Sequence, residues 1–172
     1  DTSRRDVLAE FTAAEESLIP TVPLALVSRE TPDVLPYDPT LSYAAAMDPA
    51  TRGNGWTLFI TTLQAGKRIG VGAWEWVGSR SSPLSPRETL REIAAVCRPY
   101  KLTTVDTDRW SYDALRDIAE GVGLSLVPWT WSTAERTEHY MRLRAWILDG
   151  QCELPPNVQL RTDLLRLKRR VT

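Results

Sequence analysis

Three carboxylates give this sequence its first chemical lead. Asp48 closes the run LSYAAAMD (41–48), and Asp106 and Asp108 close LTTVDTD (102–108), 58 and 60 residues further on. Positions 106 and 108 are two apart, so along an extended chain their side chains leave the same face. Carboxylates gathered in one place repel one another, and ionising all of them is costly without a cation. Mg²⁺ or Mn²⁺ removes the conflict, because such hard ions take a few acidic oxygens and keep positions open for water and a phosphate. Two ions roughly 3.5–4 Å apart activate an attacking water and stabilise the leaving oxygen of a phosphodiester. Each acid also has a plain backbone use: Asp48 precedes Pro49 and a turn, while Asp106 and Asp108 suit a strand end and a helix cap.

The elements must bring these acids together. LSYAAAMD and TLFITTLQAG (57–66) flank PATRGNGW, whose Gly53, Asn54 and Gly55 predict a positive-φ turn and hence a hairpin. KRIGVGAWEWVGS (67–79) follows a second Gly turn and completes an antiparallel meander. In SPRETLREIAAVC the period changes: Ser85 as N-cap, Pro86 at the first helical position and Glu88 closing a capping box open a helix lined by Leu90, Ile93, Ala94 and Cys97. LTTVDTD then reads as a strand, followed by a helix through Tyr112, Leu115, Ile118 and Ala119 that stops at Gly121 and Gly123. LSLVPWTW (124–131) reads as another strand. Ser132 and Glu135 cap a helix running to about Leu148, and Asn157 caps a last one carrying Leu160, Leu164 and Leu167. The order β-β-β-α-β-α-β-α-α predicts an α/β fold: a ribonuclease H-like mixed sheet with helices on both faces. In such a sheet the first strand lies in the middle with the first parallel strand beside it, so Asp48 and Asp106/Asp108 meet at neighbouring strand ends.

Ahead of this core, Val7, Leu8 and Phe11 predict a short helix, and Pro20, Pro23, Pro32, Pro36 and Pro39 argue against regular structure across 20–40. Residues 1–40 are therefore read as a helix and Pro-rich linker arm, and 41–172 as the main domain. The chain begins without Met and ends in a basic segment, which suggests part of a longer protein.

Composition narrows the function classes. The net charge of −1 excludes a globally basic nucleic-acid binder, so any such role rests on local patches such as RTDLLRLKRR near the C-terminus. Two cysteines without C-x-x-C spacing argue against a disulfide framework or a zinc site and for a reducing compartment. No run is long and apolar enough for a membrane span or a signal core, so the protein reads as soluble and intracellular. His139, near Glu135 and Glu138, reads as part of a solvated helix face. Glu75, between Trp74 and Trp76, reads as the solvent side of a strand whose tryptophans pack. Trp129 and Trp131 are expected to pack under a helix, with stacking on bases as the alternative.

These segments resemble, as a spaced pattern over nearly the whole chain, the nuclease domains of the large subunits of tailed-phage terminases. RRDVLAEF resembles the segment closing the family's ATPase domain, and YAAAMDPA its first nuclease strand with the first catalytic acid, here Asp48. TTVDTDRWSYDALRDIAEGVGLSLVPW resembles its strand, acid, aromatic, helix and Gly-ended turn; the D-x-W placement falls on Asp108, with Asp106 the competing register. MRLRAWILDGQCELPPN followed by LRTDLLRLKRR is similar to the family's closing elements.

The resemblance implies a metal-dependent endonuclease that cuts concatemeric viral double-stranded DNA during packaging, in the cytoplasm of an infected bacterial host. Two divalent cations, Mg²⁺ or Mn²⁺, would be held by Asp48 as bridge and by Asp108 or Asp106. Arg52, Arg109, Arg166, Lys168, Arg169 and Arg170 would contact the DNA backbone. Implied partners are an ATPase domain of the same polypeptide, the small terminase subunit and the portal. Two departures stand out. No G-x-x-x-x-G-K-[ST] is present, and the family's third acid usually follows the last helix, which places it beyond Thr172; Asp163 is a poor substitute. Rival readings are a junction resolvase or transposase-like nuclease of the same fold, and a non-catalytic module that binds DNA or protein.

Overall fold

The computed structural model describes residues 15–170. The helix expected over 4–11 and the RRDVLAEF segment lie outside the described residues, as do the last two positions. In chain order the elements are β1 (Glu15–Ser17), α1 (Thr21–Val27), β2 (Tyr43–Asp48), β3 (Gly55–Gln64), β4 (Lys67–Val77), α2 (Pro86–Cys97), a 3-10 turn (Arg98–Tyr100), β5 (Thr104–Asp108), α3 (Arg109–Gly121), β6 (Ser125–Trp129), α4 (Thr133–Leu148), β7 (Cys152–Glu153), α5 (Val158–Arg166) and β8 (Lys168–Arg170).

Six strands form one mixed sheet in the order β6-β5-β2-β3-β4-β7. The meander β2-β3-β4 is antiparallel, and β5, β6 and β7 join it in parallel. As the element order predicts, β2 lies inside the sheet with β5 directly beside it. The β3–β4 hairpin turns on two residues, Ala65 and Gly66, at φ 50° and 76°. Positive φ at both central positions gives the turn a twist matching that of the strands it joins.

Alternation along the strands splits the interior into two cores. On one face Ala45, Met47, Leu58, Ile60, Val71, Val105 and Leu126 pack under α2 and α3 through Leu90, Ile93, Ala94, Cys97, Leu115 and Ala119. Ser85 caps α2 by accepting from the Glu88 N–H, and Glu88 does not complete a reciprocal box; Ser132 and Glu135 of α4 do complete one. On the other face a smaller core joins Leu18, Ile19, Leu24, Val27, Ile147, Cys152, Leu154 and Leu164, with Phe59 packed against it from the sheet. Both cysteines are free and buried.

The structure corrects the reading of the N-terminal arm. Residues Thr21–Val27 are helical despite Pro20 and Pro23, because Pro20 sits at the N-cap and Pro23 in the first turn, where no intrahelical N–H partner is lost. Leu24 and Val27 are buried. Beyond it Arg29 ties the arm to the sheet: its guanidinium donates to the carbonyls of Gly70 (2.6 Å), Val71 (2.8 Å), Pro32 (2.7 Å) and Asp33 (3.2 Å) and pairs with Glu153 at 3.3 Å.

The C-terminal reading also changes. The expected basic helix ends at Arg166, and Lys168–Arg170 is a short strand antiparallel to Glu15–Ser17. Arg169 pairs with Glu16 at 3.0 Å. The basic residues therefore do not share one helical face.

Candidate metal and phosphate site

β2 and β5 place the acids. Along β2, Ala45 and Met47 face the larger core, so Asp48 leaves the opposite face. Along β5, Val105 and Thr107 are buried, so Asp106 and Asp108 also leave that opposite face. The parallel register sets Ala46 against Asp106, which brings Asp108 level with Asp48 two residues on. Asp48, Asp106 and Asp108 line one open cleft of about 510 Å³ with Thr57, Phe59, Trp129, Trp131 and Arg136.

The two leading acids differ in electrostatics. Although exposed by area, Asp48 has its carboxyl pushed above the ordinary value, first by burial in the cleft wall and then by the charge of Asp108. For Asp108 burial acts upward, but hydrogen bonds from the Ser111 hydroxyl and N–H and from the Trp110 N–H outweigh it and hold the carboxyl below the ordinary value. The distances are short: the Ser111 N–H donates to Oδ1 at 2.8 Å and its hydroxyl to Oδ2 at 2.6 Å. Asp108 is at once the N-cap of α3 and an ionised wall of the cleft. Asp106 stands one pleat back, on the level of Ala46.

Other expected residues fall around this cleft or away from it. Arg52 is exposed in the β2–β3 turn, at the end of the sheet where Asp48 lies. Arg109 opens α3 and makes a long 3.8 Å ion pair with the exposed Asp113. Arg166, Lys168 and Arg169 are exposed but do not line the cleft; the Arg170 side chain lies outside the described residues. His139 is exposed, as expected, with its ring against Trp131. Glu75 is exposed in register with Thr57, and Trp74 and Trp76 pack against the larger core. Asp163 accepts from Gln159 at 2.8 Å and shares a neighbouring cleft with Glu75. Among the described residues no three His, Cys, Asp or Glu side chains converge to hold a metal.

Trp129 and Trp131 overturn the expectation of core packing: both are about half exposed and line the acid cleft. Parity explains it. Leu126 faces the larger core, so Trp129 three positions on faces the other side, in register with Asp108. Arg136, Thr57 and Ser111 were not among the expected site residues. The Asp108-to-Ser111 spacing is a cap signature visible in the sequence; Arg136 has no such local signal.

The donors suit a hard cation in small number. Mg²⁺ is commonly held by one or two carboxylates, with waters and substrate phosphate completing its shell. Asp48 and Asp108 meet that description, and the burial and Asp108 charge that raise Asp48 are what a cation would offset. A pair of ions asks for more acidic oxygen than these two supply among the described residues.

No protein-family model matches the chain, and no curated protein sequence matches it. Solved structures do. The HK97 bacteriophage large terminase superposes with a TM-score of 0.74 at 16% identity, over 90% of this chain and 37% of that one. The chain thus spans little more than a third of that terminase. The large terminase nuclease of thermophilic phage G20c matches at TM-score 0.69 and 14% identity, over 91% of this chain and 89% of that one. The same nuclease with bound magnesium matches at 0.65 and 14%, over 91% and 88%. Further G20c structures hold zinc and cobalt. This chain has the fold of phage large-terminase nuclease domains, the ribonuclease H-like mixed sheet. Among the described residues no helix is long and apolar enough to cross a membrane.

Proposed function

We propose that this chain is a metal-dependent endonuclease domain that hydrolyses phosphodiesters of viral double-stranded DNA during genome packaging. One observation carries the reading: two acids from distant parts of the sequence stand level on adjacent parallel strands, in one cleft, where burial and the charge of Asp108 both disfavour the Asp48 carboxylate and a cation would offset them. The shared fold with terminase nucleases, one of them solved with magnesium, supports it.

In this reading Asp48 and Asp108 would hold Mg²⁺ or Mn²⁺, and a pair of ions would need a further acid beside them. Bound there, the ions supply Lewis-acid charge that activates water and stabilises the leaving oxygen. Ser111 fixes the Asp108 carboxylate before substrate arrives, so little reorganisation is needed at the reacting centre. Arg136, Arg52 and Arg109 meet phosphate oxygens and set the strand's position without reading sequence. Water oxygen bonds to phosphorus as the bond to the 3′-oxygen breaks, leaving a 5′-phosphate and a 3′-hydroxyl. The setting is the cytoplasm of a phage-infected bacterium, with an ATPase domain, small terminase subunit and portal as partners and Asp106 as the alternative ligand. Residues 41–172 form the nuclease unit, strapped by the preceding arm.

The test is plasmid cleavage in Mn²⁺. Wild-type chain converts supercoiled DNA to nicked and linear forms, and Asp48→Asn loses this activity; undiminished cutting by the variant refutes the assignment.

A non-catalytic binding module has one observation in its favour, the lack of a third converging acid among the described residues. Calorimetric titration with Mn²⁺ separates the two, since a module without a site gives no heat that depends on Asp48.

A further inference from the structure

The cleft that holds the acids is also aromatic. Trp129 and Trp131 line it with Arg136 and are 50% and 48% exposed, and Trp110, two residues past Asp108, is 90% exposed. Indole rings are the largest apolar surfaces a chain can bury, and leaving several in water at one end of a sheet is unfavourable unless a ligand covers them. Two of these residues sit on ordered parts of the fold, and one has its ring packed. Trp129 continues β6 in register with Asp108. Trp131 packs on His139, ring centroids 4.8 Å apart and tilted by 44°, and His139 belongs to α4, whose start is fixed by the Ser132–Glu135 capping box.

A flat ligand suits exposed indole faces, and the Arg136 guanidinium suits a phosphate backbone, which the neighbouring acids would meet only through a cation. Nucleobases on a phosphodiester chain combine both features. In a fully paired duplex each base face is covered by its neighbours, so rings set inside a cleft reach a base only where stacking is broken. We infer that Trp129 and Trp131 form a stacking platform for unpaired bases beside the phosphate addressed by Asp48 and Asp108. The substrate class of this site is then DNA with a locally opened duplex, such as a bubble, a flap or a melted junction. The inference rests on the nuclease reading for where the scissile phosphate lies; the stacking itself stands on the rings.

Binding is measured by fluorescence anisotropy in EDTA, where nothing is cut, using a blunt duplex, the same duplex with a short central bubble, and a single strand. The expected result is that bubble and single strand bind at least about tenfold more tightly than blunt duplex, since each stacked base contributes substantially. Trp129→Ala/Trp131→Ala reduces both to the duplex value. Trp129→Phe/Trp131→Phe, which keeps aromatic faces and guards against a folding artefact, retains part of the preference. Equal affinity for the three DNAs overturns the platform, as does an alanine variant that keeps the preference or weakens all three equally. Asp48→Asn separates this outcome from the catalytic one. Loss of plasmid cutting in that variant with no bubble preference in the wild type sinks the platform alone. A Trp-dependent preference alongside undiminished cutting by Asp48→Asn sinks the catalytic assignment alone.

Discussion

Asp48 and Asp108 stand level on adjacent parallel strands, and burial together with the Asp108 charge holds the Asp48 carboxyl above its ordinary value. A carboxyl with a raised folded pKa binds its proton more tightly in the native state, so stability falls as pH rises through the window from about pH 4 upward. Asp48→Asn removes that cost. The variant is expected to melt above wild type at pH 7, by no more than a few degrees because Asp48 is solvent-accessible, with the advantage shrinking as pH falls toward 4. Calorimetric melting across pH checks this; a variant that melts below wild type at pH 7 contradicts it.

Asp108 has the opposite sign, since its hydrogen bonds outweigh burial and lower its pKa. Its contribution is present above the unfolded value and is lost as pH drops through the folded one, below about pH 4. Because it caps α3, Asp108→Ala is expected to cost about 0.5–2 kcal/mol in urea unfolding, whereas Asp108→Asn, which keeps one cap acceptor but loses the charge, costs less than the alanine variant. Both variants are expected to lose plasmid cleavage. Activity retained by either one shows that the charge is dispensable and returns the assignment to Asp106.

The arm is predicted to be part of the fold rather than a tether. Arg29 is nearly buried and serves four carbonyls and Glu153, so Arg29→Ala leaves acceptors unpaired at the β4–β7 edge. A loss of about 2–4 kcal/mol in urea unfolding is expected, with Arg29→Lys recovering only part because an ammonium cannot span the same set. A change below about 0.5 kcal/mol indicates a loosely attached arm.

How much of this was legible in the sequence follows from range. The meander, α2, α3 and the Ser132 cap are written in local signals, namely hydrophobic period, turn glycines and cap residues, and the structure places each close to its expected span. The convergence of Asp48 with Asp106/Asp108 followed from element order, because a parallel strand beside the first one aligns their ends. Trp129 went astray through parity: nothing local says which face of β6 meets α2 and α3, and a one-residue shift exchanges core for cleft. The helix at Thr21–Val27 was masked by prolines whose positions at the cap and first turn make them harmless. Arg136 reaches the cleft through the placement of α4, a tertiary fact without a motif. The basic segment RTDLLRLKRR looks helical throughout by composition, yet pairing with β1 turns its end into a strand.

The most direct measurement is anomalous scattering from crystals of this chain soaked in Mn²⁺. The expected result is a manganese peak between the carboxylates of Asp48 and Asp108, at bonding distance from both, that disappears in Asp48→Asn crystals. A saturating soak that leaves this cleft without a peak, or puts manganese only elsewhere on the surface, contradicts the assignment.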